Sequence, residues 1–256
     1  MAEQSPVVLR THALVKRFGG ITATNDVSLA FKRGARHALI GPNGAGKTTL
    51  INQLTGVLAP TSGRVELHGH DITTLAPHRR VGLGLVRTFQ INQLFTSLTP
   101  LQSLALAVAS RHGAAHRWWA PLGSDAAMAA ECEALLAQFH LEAHASQMTR
   151  EMPYGKRRLL EIALAVAQRP SVLLLDEPAA GVPAAERHDI LATVAALPAD
   201  VSVVLIEHDM DLVFSFATRI TVLVNGAVLT EGTPQEIAAD PQVKAVYLGE
   251  VPVLYG

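Results

Sequence analysis

The spacing of hydrophobic residues changes period several times along the chain, and those changes divide it into elements. Val7 to Phe18 and Val27 to Phe31 alternate apolar with polar residues and are rich in β-branched side chains, which predicts strands. A short apolar run, His37 to Ile40, enters a glycine-rich turn. Lys47 to Thr55 then takes helical spacing and closes on Gly56. Arg64 to Leu67 reads as a strand, His68 to Asp71 as a turn, and Leu83 to Thr88 as another strand. From Asn92 to about Thr149 strand signals vanish. Thr99-Pro100 opens a predicted helix there, and Asp125 to Phe139 shows helical periodicity capped by Ser124 or Asp125.

After Gly155 the period switches regularly: helix to Gln168, strand Val172 to Leu175, helix Ala184 to Leu197, strand Val201 to Ile206, helix Asp209 to Ala217. Such alternation predicts a largely parallel sheet covered by helices. Val222 to Val224 and Ala227 to Thr230, joined by Asn225-Gly226, predict a hairpin with a type I′ turn, and Thr233 to Leu248 a closing helix. The expected fold class is α/β: a mostly parallel sheet with flanking helices, an antiparallel β part and an inserted helical subdomain. Residues 7–91 and 155–230 form the expected core with the β part, 92–154 the helical insert and 231–256 a helical tail.

Composition narrows the class of function. A chain of 256 residues, 49% of them hydrophobic, can bury one large core. Its longest apolar runs, Leu104 to Ala109 and Val172 to Leu175, fall far short of the roughly 18 residues of a membrane span. Met1 to Pro6 lack a basic segment followed by an apolar run, so no secretory signal is expected. The single Cys132 cannot form an internal disulfide, which fits a reducing compartment. A net charge of −1 provides no basic field for nucleic acid. The eleven histidines show no metal-ligand spacing.

Three segments carry chemistry. Gly41-Pro42-Asn43-Gly44-Ala45-Gly46-Lys47-Thr48 matches G-x-x-x-x-G-K-[ST] between a predicted strand and a predicted helix, the context a phosphate loop requires. Its glycines let successive backbone N–H groups and the helix N-terminus face the phosphates. Lys47 is expected on the β- and γ-phosphates and Thr48 on Mg²⁺. Val172 to Asp176 is a buried strand ending in a carboxylate suited to the metal, and Glu177 is suited to polarise an attacking water; a plain helix cap is the competing reading. Val204 to Asp209 is a further strand, ending in His208, which at the same sheet edge becomes a γ-phosphate contact. Gln90, directly after Arg87-Thr88-Phe89, is placed to reach metal or water.

Taken in order, these residues resemble the nucleotide-binding subunit of ABC transporters, over nearly the whole chain. The resemblance makes Gly41 to Thr48, with Thr49, the Walker A loop, Gln90 the Q-loop, Met152 to Lys156 the signature, Val172 to Asp176 Walker B, Glu177 the catalytic-type glutamate and His208 the switch. It also implies that Phe18 stacks on adenine, a core or edge-strand phenylalanine being the alternative. ATP and Mg²⁺ are the implied ligands, with Thr48, Gln90 and Asp176 around the metal. Such ATPases work as head-to-tail dimers, in which Tyr154, Gly155 and Lys156 of one subunit close on the ATP of the other.

Finer segments, Arg17-Phe18-Gly19-Gly20, Arg87-Thr88-Phe89-Gln90, Leu160-Glu161-Ile162-Ala163, Asp176 to Gly181 and Tyr247 to Glu250, resemble the branched-chain or hydrophobic amino-acid uptake subfamily. The stretch Arg111 to Gly123 favours the longer, LivG-like member of its two ATPases. Lipopolysaccharide-export ATPases, urea or aromatic-compound importers, and soluble ABC ATPases are the alternatives. The resemblance implies a second ATPase subunit, identical or similar, transmembrane permease subunits, a periplasmic solute-binding protein acting indirectly, and residence on the cytoplasmic face of the inner membrane. Two departures stand out. Pro153 occupies the position of the signature serine, and Pro183 that of an Asn or Asp. Neither touches Lys47, Asp176, Glu177 or His208, so an active ATPase is expected. Trp118-Trp119 has two readings, a contact with a membrane partner or one ring packed on a neighbouring helix.

Overall fold

The computed structural model describes residues 6–88, 94–113 and 125–248. Gln90, Phe89, Trp118, Trp119, Gly249 and Glu250 lie outside these. The main sheet contains β4 (Arg36–Ile40), β7 (Leu85–Arg87), β8 (Val172–Asp176), β9 (Ser202–Ile206), β10 (Arg219–Val224) and β11 (Ala227–Gly232), in the order β11-β10-β4-β9-β8-β7. All neighbours run parallel except β10 and β11. That pair returns through Asn225 (φ 49°) and Gly226 (φ 79°), the two left-handed residues a type I′ turn needs.

A second, antiparallel sheet holds β1 (Val7–Phe18), β2 (Ile21–Val27), β3 (Ala30–Lys32), β5 (Ser62–Leu67) and β6 (His70–Asp71). The helices are α1 (Lys47–Thr55), α2 (Pro77–Gly82), α3 (Pro100–Arg111), α4 (Ala126–Gln138), α5 (Tyr154–Val166), α6 (Ala184–Ala195), α7 (Met210–Phe216), α8 (Pro234–Ala239) and α9 (Pro241–Leu248).

The central strands are apolar throughout because both faces are covered. Val172 and Leu174 of β8 face the core shared with the antiparallel sheet and α1, while Leu173 and Leu175 face the core under α3–α7. Val203 and Leu205 against Val204 and Ile206 divide in the same way on β9. The period of two survives inside an unbroken apolar run and assigns each side chain to one of two cores.

Three expectations need correction. The strand expected over Val27–Phe31 is the end of β2, a break and β3. Val27, Leu29 and Phe31 are all buried, so one apolar face runs across the break, while the polar Thr22, Thr24, Asn25 and Asp26 hide β2. Leu83 caps α2 and the strand begins at Leu85; α2 escapes pattern reading because its buried residue is Arg80. The closing helix divides at Asp240-Pro241, where proline removes an N–H donor and turns the preceding residue extended (ψ 120°). In contrast, Thr99 forms a complete capping box with Gln102, and Asp125 caps α4 through the N–H groups of Ala127 and Met128.

Candidate active site

The site lies along the C-terminal edge of the main sheet, and strand register assembles it. Leu39 of β4 pairs with Ile206, and Ile206 pairs with Asp176. The phosphate loop after β4, the Asp176-Glu177 turn after β8 and His208 after β9 therefore leave the sheet side by side, with β9 in the middle. This is where ligands collect in open α/β folds.

Between β4 and α1 the loop depends on its glycines. Gly41 and Gly46 have φ of 153° and 98°, and a side chain on either would run into the carbonyl oxygen of Leu223 or Ala23. Gly44 (φ 80°) faces open space. No side chain caps α1, so its first N–H groups are free for an anion. Lys47 Nζ donates to the loop's own carbonyls, Gly41 O at 2.6 Å and Pro42 O at 3.0 Å. Burial pushes its pKa down, and the carboxylates of Glu177 and Asp176 oppose that shift. Thr48 is exposed and Thr49 half-buried on the first turn. Pro42 is half-buried, Asn43 exposed and Ala45 buried.

Asp176 Oδ2 is 2.6 Å from Nη2 of Arg87, whose Nη1 donates to Asn52 Oδ1 at 2.7 Å. Glu177 has a left-handed backbone (φ 47°) and a half-exposed side chain. His208 Nδ1 lies 3.7 Å from Glu177 Oε1, too far for a hydrogen bond but within reach of a shared water. Beneath them Glu207 is buried; its carboxylate accepts from the backbone N–H groups of Ala179 (3.1 Å) and His208 (3.3 Å). Burial raises the Glu207 pKa, partly offset by those two donors. Thr48 and Asp176 supply a hydroxyl and a carboxylate, an oxygen donor set that suits Mg²⁺ when phosphates and water complete it.

Phe18 ends β1 and is 50% exposed, with Lys16 Nζ 5.3 Å from its ring centroid. That places it on the surface rather than in the core. At the start of α5, Pro153 (φ −54°, ψ 149°) leaves the first-turn N–H groups without a side-chain cap. Tyr154 Oη donates to Ala180 O at 3.1 Å, and Gly155 is packed so closely that a side chain there would strike Glu186. Lys156 Nζ is bound to His140 O at 3.1 Å, so within one subunit its charge is tied to the helical insert.

Four residues around the site were given no role there by the sequence. Arg87 and Glu207 act through long-range pairing. Tyr247 of α9 is partly buried against the loop, where burial raises its pKa and a Gly41 backbone bond opposes that shift. Arg158 on α5 reaches the Glu177-Pro178 turn. Among the described residues no group of three or more His, Cys, Asp or Glu is arranged to hold a metal.

The family model for ABC transporters matches residues 24–180, and that for branched-chain amino acid ATP-binding cassette transporters matches residues 227–252. The high-affinity branched-chain amino acid transport ATP-binding protein BraF of Pseudomonas aeruginosa is 40% identical over 251 residues, covering 95% of this chain and 98% of the relative. LivG of Escherichia coli, described in the same words, is 37% identical over 254 residues, covering 96% and 99%. A crystal structure of an ABC transporter's ATP-binding cassette in its ADP conformation superposes with a TM-score of 0.85 at 31% identity, covering 96% of this chain and all of that one. A nucleotide-free cassette gives 0.83 at 30% identity, covering 94% and 99%.

Proposed function

Because this chain belongs to the ABC transporter family, we propose that it is the ATP-hydrolysing subunit of an importer for branched-chain amino acids or a related small solute. The observation that carries the mechanism is the register joining Leu39, Ile206 and Asp176, since it aligns the phosphate loop with two carboxylates and a histidine. The substrate class rests on the relatives BraF and LivG and on the C-terminal match.

ATP is taken at the loop Gly41–Thr49 with its adenine on Phe18. Lys47 leaves the carbonyls of Gly41 and Pro42 for the β- and γ-phosphates, while the free N–H groups of α1 hold the remaining charge. Thr48, Asp176 and, by resemblance, Gln90 would hold Mg²⁺, which would supply positive charge against the phosphates. Glu177 takes the proton of the attacking water, and His208 fixes that water and the γ-phosphate. The signature Tyr154-Gly155-Lys156 of a second subunit, identical or similar, closes the site. With Pro153 in place of a serine, that contact relies on the uncapped N-terminus of α5.

Among the described residues no helix is long and apolar enough to cross a membrane, so transport requires permease subunits. We assign their docking to a groove of about 480 Å³ between α3, α5 and β7, lined by Val57, Val81, Phe95, Leu106 and Leu164. Phe95 and Leu106 are exposed there, and Thr88 of the segment before Gln90 borders the groove. An amphipathic cytoplasmic segment of the permease fits this apolar, half-open shape. On this reading the subunit sits on the cytoplasmic face of the inner membrane, and a periplasmic binding protein supplies solute specificity.

Glu177→Gln tests the assignment. ATP hydrolysis is expected to fall by about two orders of magnitude or more, while ATP still binds and now traps a dimer detectable by size-exclusion chromatography. Unchanged turnover would remove Glu177 from the role of base.

A further inference from the structure

Behind the active site a buried ion pair runs from the apolar groove to the turn that carries Glu177. Arg158 lies on the second turn of α5, and its guanidinium makes three divergent contacts. Nε donates to Pro178 O at 2.8 Å, Nη2 donates to Glu177 O, and Nη1 pairs with Glu161 Oε2 at 2.6 Å. The two side chains are 5% and 7% exposed. Glu161 borders the groove, and its second oxygen, Oε1, is buried without a hydrogen-bond partner among the described residues.

The mechanism so far uses neither residue. A buried ion pair is not by itself stabilising, since desolvation offsets the attraction. A buried acceptor left unpaired is costly as well. Both features persist here next to a residue with a left-handed backbone, at the turn where catalytic geometry is set. Arginine is the one side chain whose rigid fork can hold two successive carbonyls and a carboxylate at once. Lysine presents a single point charge to the same three acceptors.

We infer that Arg158 is a positioning residue for Glu177, and that Glu161 links it to groove occupancy. A permease segment seated in the groove packs on Glu161 and turns its side chain, so that Oε1, buried in the chain alone, gains a donor. That bond draws the carboxylate charge toward the groove and changes its hold on Arg158. Arg158 in turn shifts the Glu177-Pro178 backbone into or out of line for proton transfer. The route links two sites through named contacts, so both ends can be tested. The groove end rests on the docking proposed above; the Arg158 end does not.

The first measurement uses the full chain alone. Arg158→Met and Arg158→Lys are each expected to lower kcat for ATP hydrolysis at least about tenfold, with KM and the affinity for a fluorescent ATP analogue unchanged within about twofold. If Arg158→Met fails to fold, judged by circular dichroism and thermal midpoint, the lysine variant decides by the same readouts. A kcat that stays near wild type, or nucleotide affinity lost in parallel with kcat, would overturn the positioning role.

The second measurement uses Glu161→Gln in the complex with the permease that co-purifies with the tagged wild-type chain from its own membranes. Binding is expected to persist while permease stimulation of ATPase activity drops at least about fivefold. Full stimulation in a complex that still forms overturns the link through Glu161 and leaves docking intact. If no permease co-purifies with the wild-type chain, the docking assignment falls and takes the groove end with it. The Arg158 assay on the chain alone still decides the other half.

Discussion

Pro153 and Pro183 stand at the N-termini of α5 and α6 with nearly the same backbone, φ near −54° and ψ between 142° and 149°. A serine or asparagine at such a position would cap the helix with its side chain. Proline instead fixes the entry angle through its ring and leaves the N–H groups of the first turn open. Pro153→Ser is therefore expected to keep ATPase activity equal or raise it, since the hydroxyl caps α5 in the free chain and adds a donor to the phosphate in the closed site; a steady-state assay on the full chain checks this. Lys47 illustrates a different economy. Its ammonium occupies two loop carbonyls that a phosphate must displace, so the loop is held in shape before nucleotide arrives. Lys47→Ala should weaken ATP binding by about one to two orders of magnitude, measurable by isothermal titration, and intact affinity would contradict the phosphate-loop assignment.

The element that carries the phosphate loop is secured at its far end. The C-terminal carbonyls of α1 accept from buried Arg80, through Gln53 O at 2.8 Å and Leu54 O at 2.6 Å. The same guanidinium reaches Leu75 O and Thr73 O at 3.0 and 2.8 Å. A cation at a helix C-terminus also complements the helix dipole. Arg80→Ala removes a donor from four carbonyls and opens a void, which should cost about 2–4 kcal/mol of stability, read as a shift of the urea midpoint. Sequence patterning could not foresee this. Arg80 lies on the buried face of α2, where a period search expects an apolar residue, so the helix carrying it went unpredicted. The same limit hid β2, whose polar threonines pair with β1 by backbone bonds. It did not affect β8 and β9, whose apolar runs are long enough to declare themselves.

At the scale of the whole molecule, two cores share one sheet, and the polar groups between strands sense pH. His37 on β4 is buried against Thr221 of β10 at 2.7 Å, and burial lowers its pKa from 6.5 to about 4. Because the folded value lies below the unfolded one, the unfolded chain binds the proton first as pH falls. Stability from this group is complete above pH 6.5 and is lost between 6.5 and about 4, by up to about 3 kcal/mol at the lower end. His37→Gln keeps a hydrogen-bonding group without the titration, so its urea midpoint should change less than that of wild type between about pH 7 and pH 4.5. The sequence by itself determined the β-α alternation after Gly155, the phosphate loop, and the positions of Asp176, Glu177 and His208, because each is written in local spacing or in a contiguous motif. Only the tertiary structure decided that β9 sits between β4 and β8, that Arg87 pairs with Asp176, and that Arg158 and Glu161 connect a surface groove to the Glu177 turn. Those contacts join residues separated by many positions or by a change of element. Nothing in the spacing of a single segment encodes which distant carbonyl a buried guanidinium will meet.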